Sequence, residues 1–160
     1  MKTHGIMFHH FHGGTHPAGQ GSISADDFHE ILGWLRRTYR VLNAGDFYLA
    51  ALCGTLTDED TCLTFDDSLL CQYEIAAPIL ADEGLTAFYF VYSTAFTDEP
   101  DLLEIYRYFR STEYPDFDTF CDEFMSHART EYEETVKGAL QGFDPDQYLT
   151  EFPFYSSNDR

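Results

Sequence analysis

The sequence predicts an α/β fold, and three stretches carry that expectation. "TCLTF" (61 to 65) and "TAFYFVY" (86 to 92) are short runs of β-branched and aromatic residues, suited to a sheet buried on both faces. Between them, "YEIAAPILADEG" has helical character, with Pro78 set to kink it or begin a second turn and Gly84 placed to end it. Strand, helix and strand at this spacing form a βαβ unit with a right-handed crossover and parallel strands, so an α/β sheet or barrel is implied.

The remaining elements follow in chain order. "GIMFHHFH" (5 to 12) reads as a first strand and leads into the loop "HGGTHPAGQGS", whose glycines mark turns. Ser24 suits an N-cap, and behind it Phe28, Ile31, Leu32, Leu35, Tyr39 and Leu42 recur at helical spacing, with Gly45 placed to end the helix. A short second helix beginning near Asp46 carries Phe47, Leu49, Ala50 and Leu52. Beyond the last strand the character changes: "DEPDLLEIYRYFRST" (98 to 112), "DFDTFCDEFMSHARTEYEETVKGALQG" (116 to 142) and "DPDQYLTEF" (144 to 152) all read as acidic amphipathic helices.

With 160 residues, 44% of them hydrophobic and 17% aromatic, the chain has the length of one domain and enough apolar surface for a packed core. Its 28 acidic residues against 9 basic ones give a formal charge of -19, a field that repels phosphate backbones and anionic lipid. Nucleic acid and membrane are therefore not expected as partners. "MKTHGIMFHHFHGGTH" lacks the continuous apolar core of a signal peptide and no segment approaches transmembrane length, so the expected location is cytoplasmic. Cys53, Cys62, Cys71 and Cys121 form no C-x-x-C pair and read as isolated reduced thiols.

Asp66 and Asp67 stand at the C-terminal end of a predicted parallel strand, the edge where α/β sheets and barrels gather catalytic groups. Adjacent residues at a strand exit project in different directions, so one carboxylate can meet a cation while its neighbour takes a proton from water. A cation also relieves the repulsion between two ionised carboxylates held this close. The structural alternative is a helix cap in a βα loop, a common place for Asp.

The composite "LTFDDSLLCQYEIAAPILADEGLTAFYFV" resembles the first motif of the NodB-type polysaccharide deacetylases, carbohydrate esterase family four. In that family a strand ends in T-F-D-D-G, a helix of the Y-x-x-A-x-P-I-L type follows, and a G-[IL]-x-A-[TF]-F-F-V strand comes next. Thr64, Phe65, Asp66, Asp67, Ala77, Pro78, Ile79, Leu80, Gly84, Leu85, Ala87, Phe88, Phe90 and Val91 fit it. "GIMFHHFH" is similar to the first strand of many members, where an aromatic-His pair lies near the active site, and extends the match over residues 5 to 92. The resemblance implies a partial deformed (β/α) barrel of NodB type that removes acetyl groups from N-acetylated sugars with a divalent, zinc-like metal. By position Asp66 would be the general base and Asp67 the carboxylate ligand of the metal. Residues 98 to 152 would be an insertion-like acidic helical segment.

Two departures qualify the match. The family's H-[ST]-x-x-H motif, which supplies two metal-binding histidines, has no counterpart; His127 alone follows Asp67, and the motif with the family's histidine general acid is missing too. Among the N-terminal histidines, His9, His10, His12 and His16 are candidates for the pocket or the metal, with His10 the single choice and His12 beside it on the same face by strand alternation. Ser68 stands where the family has glycine, which predicts a strained or reshaped loop.

The leading expectation is that residues 1 to 160 are the N-terminal part of a longer metal-dependent hydrolase domain, inactive alone and directed at a soluble sugar precursor. The alternative is a degenerate, non-catalytic relative that acts as a binding or interaction protein through its acidic helices. A third reading keeps catalysis with a rearranged metal site built from Asp67 and the N-terminal histidines.

Overall fold

The computed structural model describes residues 4–19, 21–97, 99–142, 144, 147 and 150. The chain is an α/β protein with a parallel sheet, and it divides into two compact units, residues 1–115 and 116–160.

The first unit is organised on a central strand, β3 (Asp60–Asp66). The first strand, β1 (His4–Phe8), pairs with it in parallel along one edge, Phe8 lying opposite Phe65. On the other edge β2 (Arg40–Val41) meets the N-terminal residues of β3, and β4 (Phe88–Phe90) meets Thr64, Phe65 and Asp66, also in parallel. The sequence reading missed β2, because two residues are too few to show alternation, and so extended the first helix through Leu42. That helix, α1 (Ala25–Thr38), ends four residues earlier. Gly45 lies inside the first turn of α2 (Ala44–Leu52) rather than ending α1. Asn43 joins β2 to the approach of β4: its Oδ1 accepts from Thr86 N at 2.8 Å, while Ala44 N donates to Thr86 Oγ1 at 3.0 Å.

Ser24 caps α1 as its position predicts, in a capping box with Asp27: Asp27 N donates to Ser24 Oγ at 3.1 Å and Ser24 N to Asp27 Oδ2 at 2.8 Å. The helix buries Phe28, Leu32 and Leu35 against the sheet. There Phe8, Phe11, Phe28 and Phe65 form an aromatic cluster, with Phe28 edge-on to Phe8 at 5.0 Å and to Phe11 at 5.1 Å.

After β3 the chain makes a π turn (Gln72–Ala76), then α3 (Ala77–Asp82), so Pro78 begins a helical segment. Proline cannot donate to the carbonyl four residues back and its ring crowds that group, which a widened turn relieves. Gly84, at φ 64°, ends α3 in the left-handed conformation expected of it. β4 is not buried on both faces: Phe90 is 57% exposed, and among the described strands β4 pairs with β3 alone. The last helix of this unit, α4 (Leu102–Glu113), starts at Asp101, whose side chain accepts from Leu103 N and Glu104 N.

In the second unit the predicted long helix is two, α5 (Phe117–Glu131) and α6 (Glu133–Leu140), separated at Tyr132, which leaves helical geometry at φ -126°, ψ 31°. Asp116 caps α5 by accepting from Thr119 N at 2.7 Å. The helix expected over 144 to 152 lies largely outside the described residues. Among the described residues no helix is long and apolar enough to cross a membrane, and all four cysteines are free thiols.

Asp60, at the start of β3, is fully buried and tied down on every side. Arg40 Nη2 donates to its Oδ2 at 2.9 Å, Thr57 N at 2.7 Å and Thr57 Oγ1 at 3.0 Å. The Arg40 guanidinium, followed by the Thr57 N–H, holds this carboxyl well below the ordinary Asp value. A depressed carboxyl contributes stability that is complete above its unfolded value of 3.8 and is lost as pH falls from there toward the folded value. Asp60→Asn is expected to lower the melting midpoint at neutral pH and to flatten its fall below about pH 4; melting curves across acid pH check this, and an unchanged acid slope would refute it.

Candidate functional site

The C-terminal ends of β1 and β3 lie side by side, Phe8 opposite Phe65, so His9, the first residue beyond β1, and Asp66, the last of β3, become neighbours. Asp66 is the last residue of β3 and pairs with Phe90 of β4. Asp67 and Ser68 then both take positive φ, 71° and 52°, which bears out the strain expected of serine in place of glycine. This left-handed pair changes one expectation: instead of projecting apart as along a strand, both carboxylates reach the same ring. His9 Nε2 lies 3.8 Å from Asp66 Oδ2 and 3.8 Å from Asp67 Oδ2, with all three side chains partly exposed. Those distances are beyond direct hydrogen bonding and within reach of one bridging water. Neither aspartate caps the segment that follows, for the π turn begins behind Cys71 without a side-chain cap.

The histidines favoured from the sequence lie elsewhere. The strand predicted over 5 to 12 stops at Phe8, so alternation does not govern residues 9 to 12. The His10 ring runs nearly parallel to that of His9, 6.3 Å away, but its Nε2 contacts both carboxylate oxygens of Glu104 at 3.0 Å. It lines a cavity of about 150 Å³ with His16, Cys71, Glu104, Arg107 and Tyr108. Burial pulls His10 below its ordinary pKa, opposed by the hydrogen bond and charge of Glu104. His12 Nδ1 pairs with Ser22 Oγ at 3.0 Å, and His16 Nε2 with Glu74 Oε2 at 2.7 Å. His127 is exposed on α5, its ring against Tyr132.

Sequence reasoning held His9 only as one of four candidate histidines and preferred His10, and it did not single out Gln72 or Glu104. Glu104 belongs to a helix read as an insertion, yet Asp101 fixes where that helix begins. The Tyr92 hydroxyl, two residues beyond β4, donates to Asp101 Oδ2 at 2.5 Å, and this bond more than any other influence pushes Tyr92 up to about 12. No motif or spacing could have revealed that contact. Behind the site, the Gln72 side-chain amide donates to the carbonyl oxygens of His9 at 2.8 Å and Asp66 at 2.6 Å.

The ion implied by the family resemblance can be tested against these side chains. A catalytic zinc takes three protein donors. Asp67 and His9 have the right chemistry, but among the described residues no three His, Cys, Asp or Glu side chains are grouped to hold an ion. The described residues do not by themselves fit it.

No protein-family model matches the chain, and a search of curated proteins finds no relative. Among solved structures it is similar to a de-N-acetylase from Aggregatibacter actinomycetemcomitans, at 22% identity and a TM-score of 0.49, over 61% of this chain and 40% of that one. The chain thus spans less than half the length of that protein.

Two outcomes are expected. Ser68→Gly relieves one left-handed non-glycine residue and should stabilise the protein by about 0.5–1 kcal/mol in chemical denaturation, the relief exceeding glycine's added unfolded-state entropy. Glu104→Gln removes the partner that holds His10 up, so the His10 titration followed by NMR should move further below 6.5. Because His10 is lowered in the folded state, its contribution to stability declines as pH falls from 6.5 toward the folded value, and the variant widens that window.

Proposed function

We propose that this chain carries the carboxylate half of a hydrolase site that removes N-acetyl groups from a sugar, within a deformed (β/α) barrel of NodB type that would extend beyond the sheet described. The observation that supports it most is the meeting of Asp66, Asp67 and His9 at the C-terminal edge of a parallel sheet, within the T-F-D-D composite.

Amide hydrolysis needs a base for the attacking water and a proton for the departing amine. In this reading Asp66 accepts the proton as water adds to the acetyl carbonyl, and the same proton then passes to the amine as the carbon–nitrogen bond breaks, leaving acetate and a free amino sugar. His9 lies within reach of one bridging water from both carboxylates and so orients the water between them. Asp67 keeps the second carboxylate beside the reacting water. A divalent, zinc-like ion, which the family resemblance implies, would polarise the carbonyl; Asp67 and His9 have donor chemistry for it, but the described residues do not complete a site. A soluble, cytoplasmic sugar precursor is the substrate class this reading favours, and nucleic acid and membrane are not among its partners.

A second reading, binding without catalysis, is favoured by one observation: Leu102, Leu103, Tyr106 and Tyr108 of α4 are all more than half exposed. In that reading the apolar helix surface, and not the aspartates, carries the function.

Cobalt(II) titration and acetate release test the first reading. The 160-residue chain is expected to bind cobalt weakly, to lose about tenfold or more of that affinity in Asp67→Asn and in His9→Ala, and to release no acetate from N-acetylglucosamine oligomers. Cobalt binding indifferent to both substitutions, or acetate release by the 160-residue chain itself, would count against it.

A further inference from the structure

Gln72 opens the π turn behind the site and is 1% exposed. Its single amide group spans two strands: one N–H bond goes to the carbonyl of His9, the first residue beyond β1, and the other to that of Asp66, the last of β3. The orientation of the amide is set by its partners, since exchanging nitrogen and oxygen would face the oxygen with two carbonyl oxygens. The remaining Oε1 is buried with no hydrogen-bond partner among the described residues. An orphaned buried acceptor is disfavoured, and leucine or methionine would fill the same volume without it. Packing alone therefore does not account for glutamine here.

We propose that Gln72 is a positioning residue: its carboxamide ties the His9 and Asp66 carbonyls together and so holds the imidazole between the two carboxylates. The inference rests on reading Asp66 and Asp67 as working carboxylates. It adds the part that fixes their geometry from behind, with no contact to substrate required.

NMR on the isotope-labelled chain tests it first without any variant. Both side-chain amide protons of Gln72 should exchange with solvent at least about tenfold more slowly than those of the exposed Gln141. Gln72→Leu keeps the volume and removes the donors. It should shift the carbonyl carbons of His9 and Asp66 upfield and, in its crystal structure, carry His9 Nε2 beyond the ion-pair limit of about 4 Å from both carboxylates. Leu80→Ala, a cavity in the same buried core, should lower stability and leave both readouts in place. Fast exchange of the Gln72 amide in the unmodified chain, or an undisturbed His9–Asp66–Asp67 arrangement in Gln72→Leu, would overturn the proposal. Acetate release plays no part in this test, so a failure of the tie and a failure of the deacetylase reading remain separate results.

Discussion

In a parallel sheet, setting one cross-strand pair sets all the others, and in this protein the decisive pair is Phe8 opposite Phe65. Their rings lie 5.6 Å apart, and Phe28 from α1 packs edge-on against both. A slip of one residue would turn these rings out of the core and reverse every face of the strand, so the aromatic cluster specifies the register strongly. The residues that follow the pair are His9 and Asp66. Imidazole and carboxylate are neighbours because the two phenylalanines are, and the site inherits its precision from the core beneath it.

The two ends of β3 treat their carboxylates differently. At the start, Asp60 is fully buried and meets a guanidinium and a threonine that supply all its hydrogen bonds, an arrangement suited to a permanent charge. At the end, Asp66 and Asp67 are partly exposed and face an imidazole across gaps of 3.8 Å that leave room for water. One end is built for stability. The other combines like charges, a titratable partner and two consecutive left-handed residues, a concentration of unfavourable local features that proteins keep mainly at working sites.

Around that end, contacts distant in sequence do the holding. Gln72 reaches both strands, Tyr92 bonds the cap of α4, and α4 returns Glu104 to His10. His10 and His9 are consecutive and nearly parallel, yet one is bound to a helix 94 residues away while the other faces the aspartates. That division leaves the half-exposed ring, and not the more buried one, to meet the paired carboxylates.

Much of the first unit was legible in the sequence because its signals are local. The β-branched runs gave β3 and β4, Ser24 and Asp27 gave the start of α1, Gly84 gave the end of α3, and serine in a glycine position foretold a strained loop at Asp67 and Ser68. The composite around Asp66 and Asp67 marked the place to look. What the sequence by itself determined is thus the α/β class, the parallel β3–β4 pair and two carboxylates at a strand exit, since propensity, capping and turn chemistry act over a few residues. The tertiary structure alone decided that His9 and not His10 faces those carboxylates, that a two-residue β2 completes the sheet, and that Gln72 and Glu104 belong around the site. Each depends on where a strand stops or on a partner tens of residues away, and burial and register, which settle such contacts, exist only once the chain has packed.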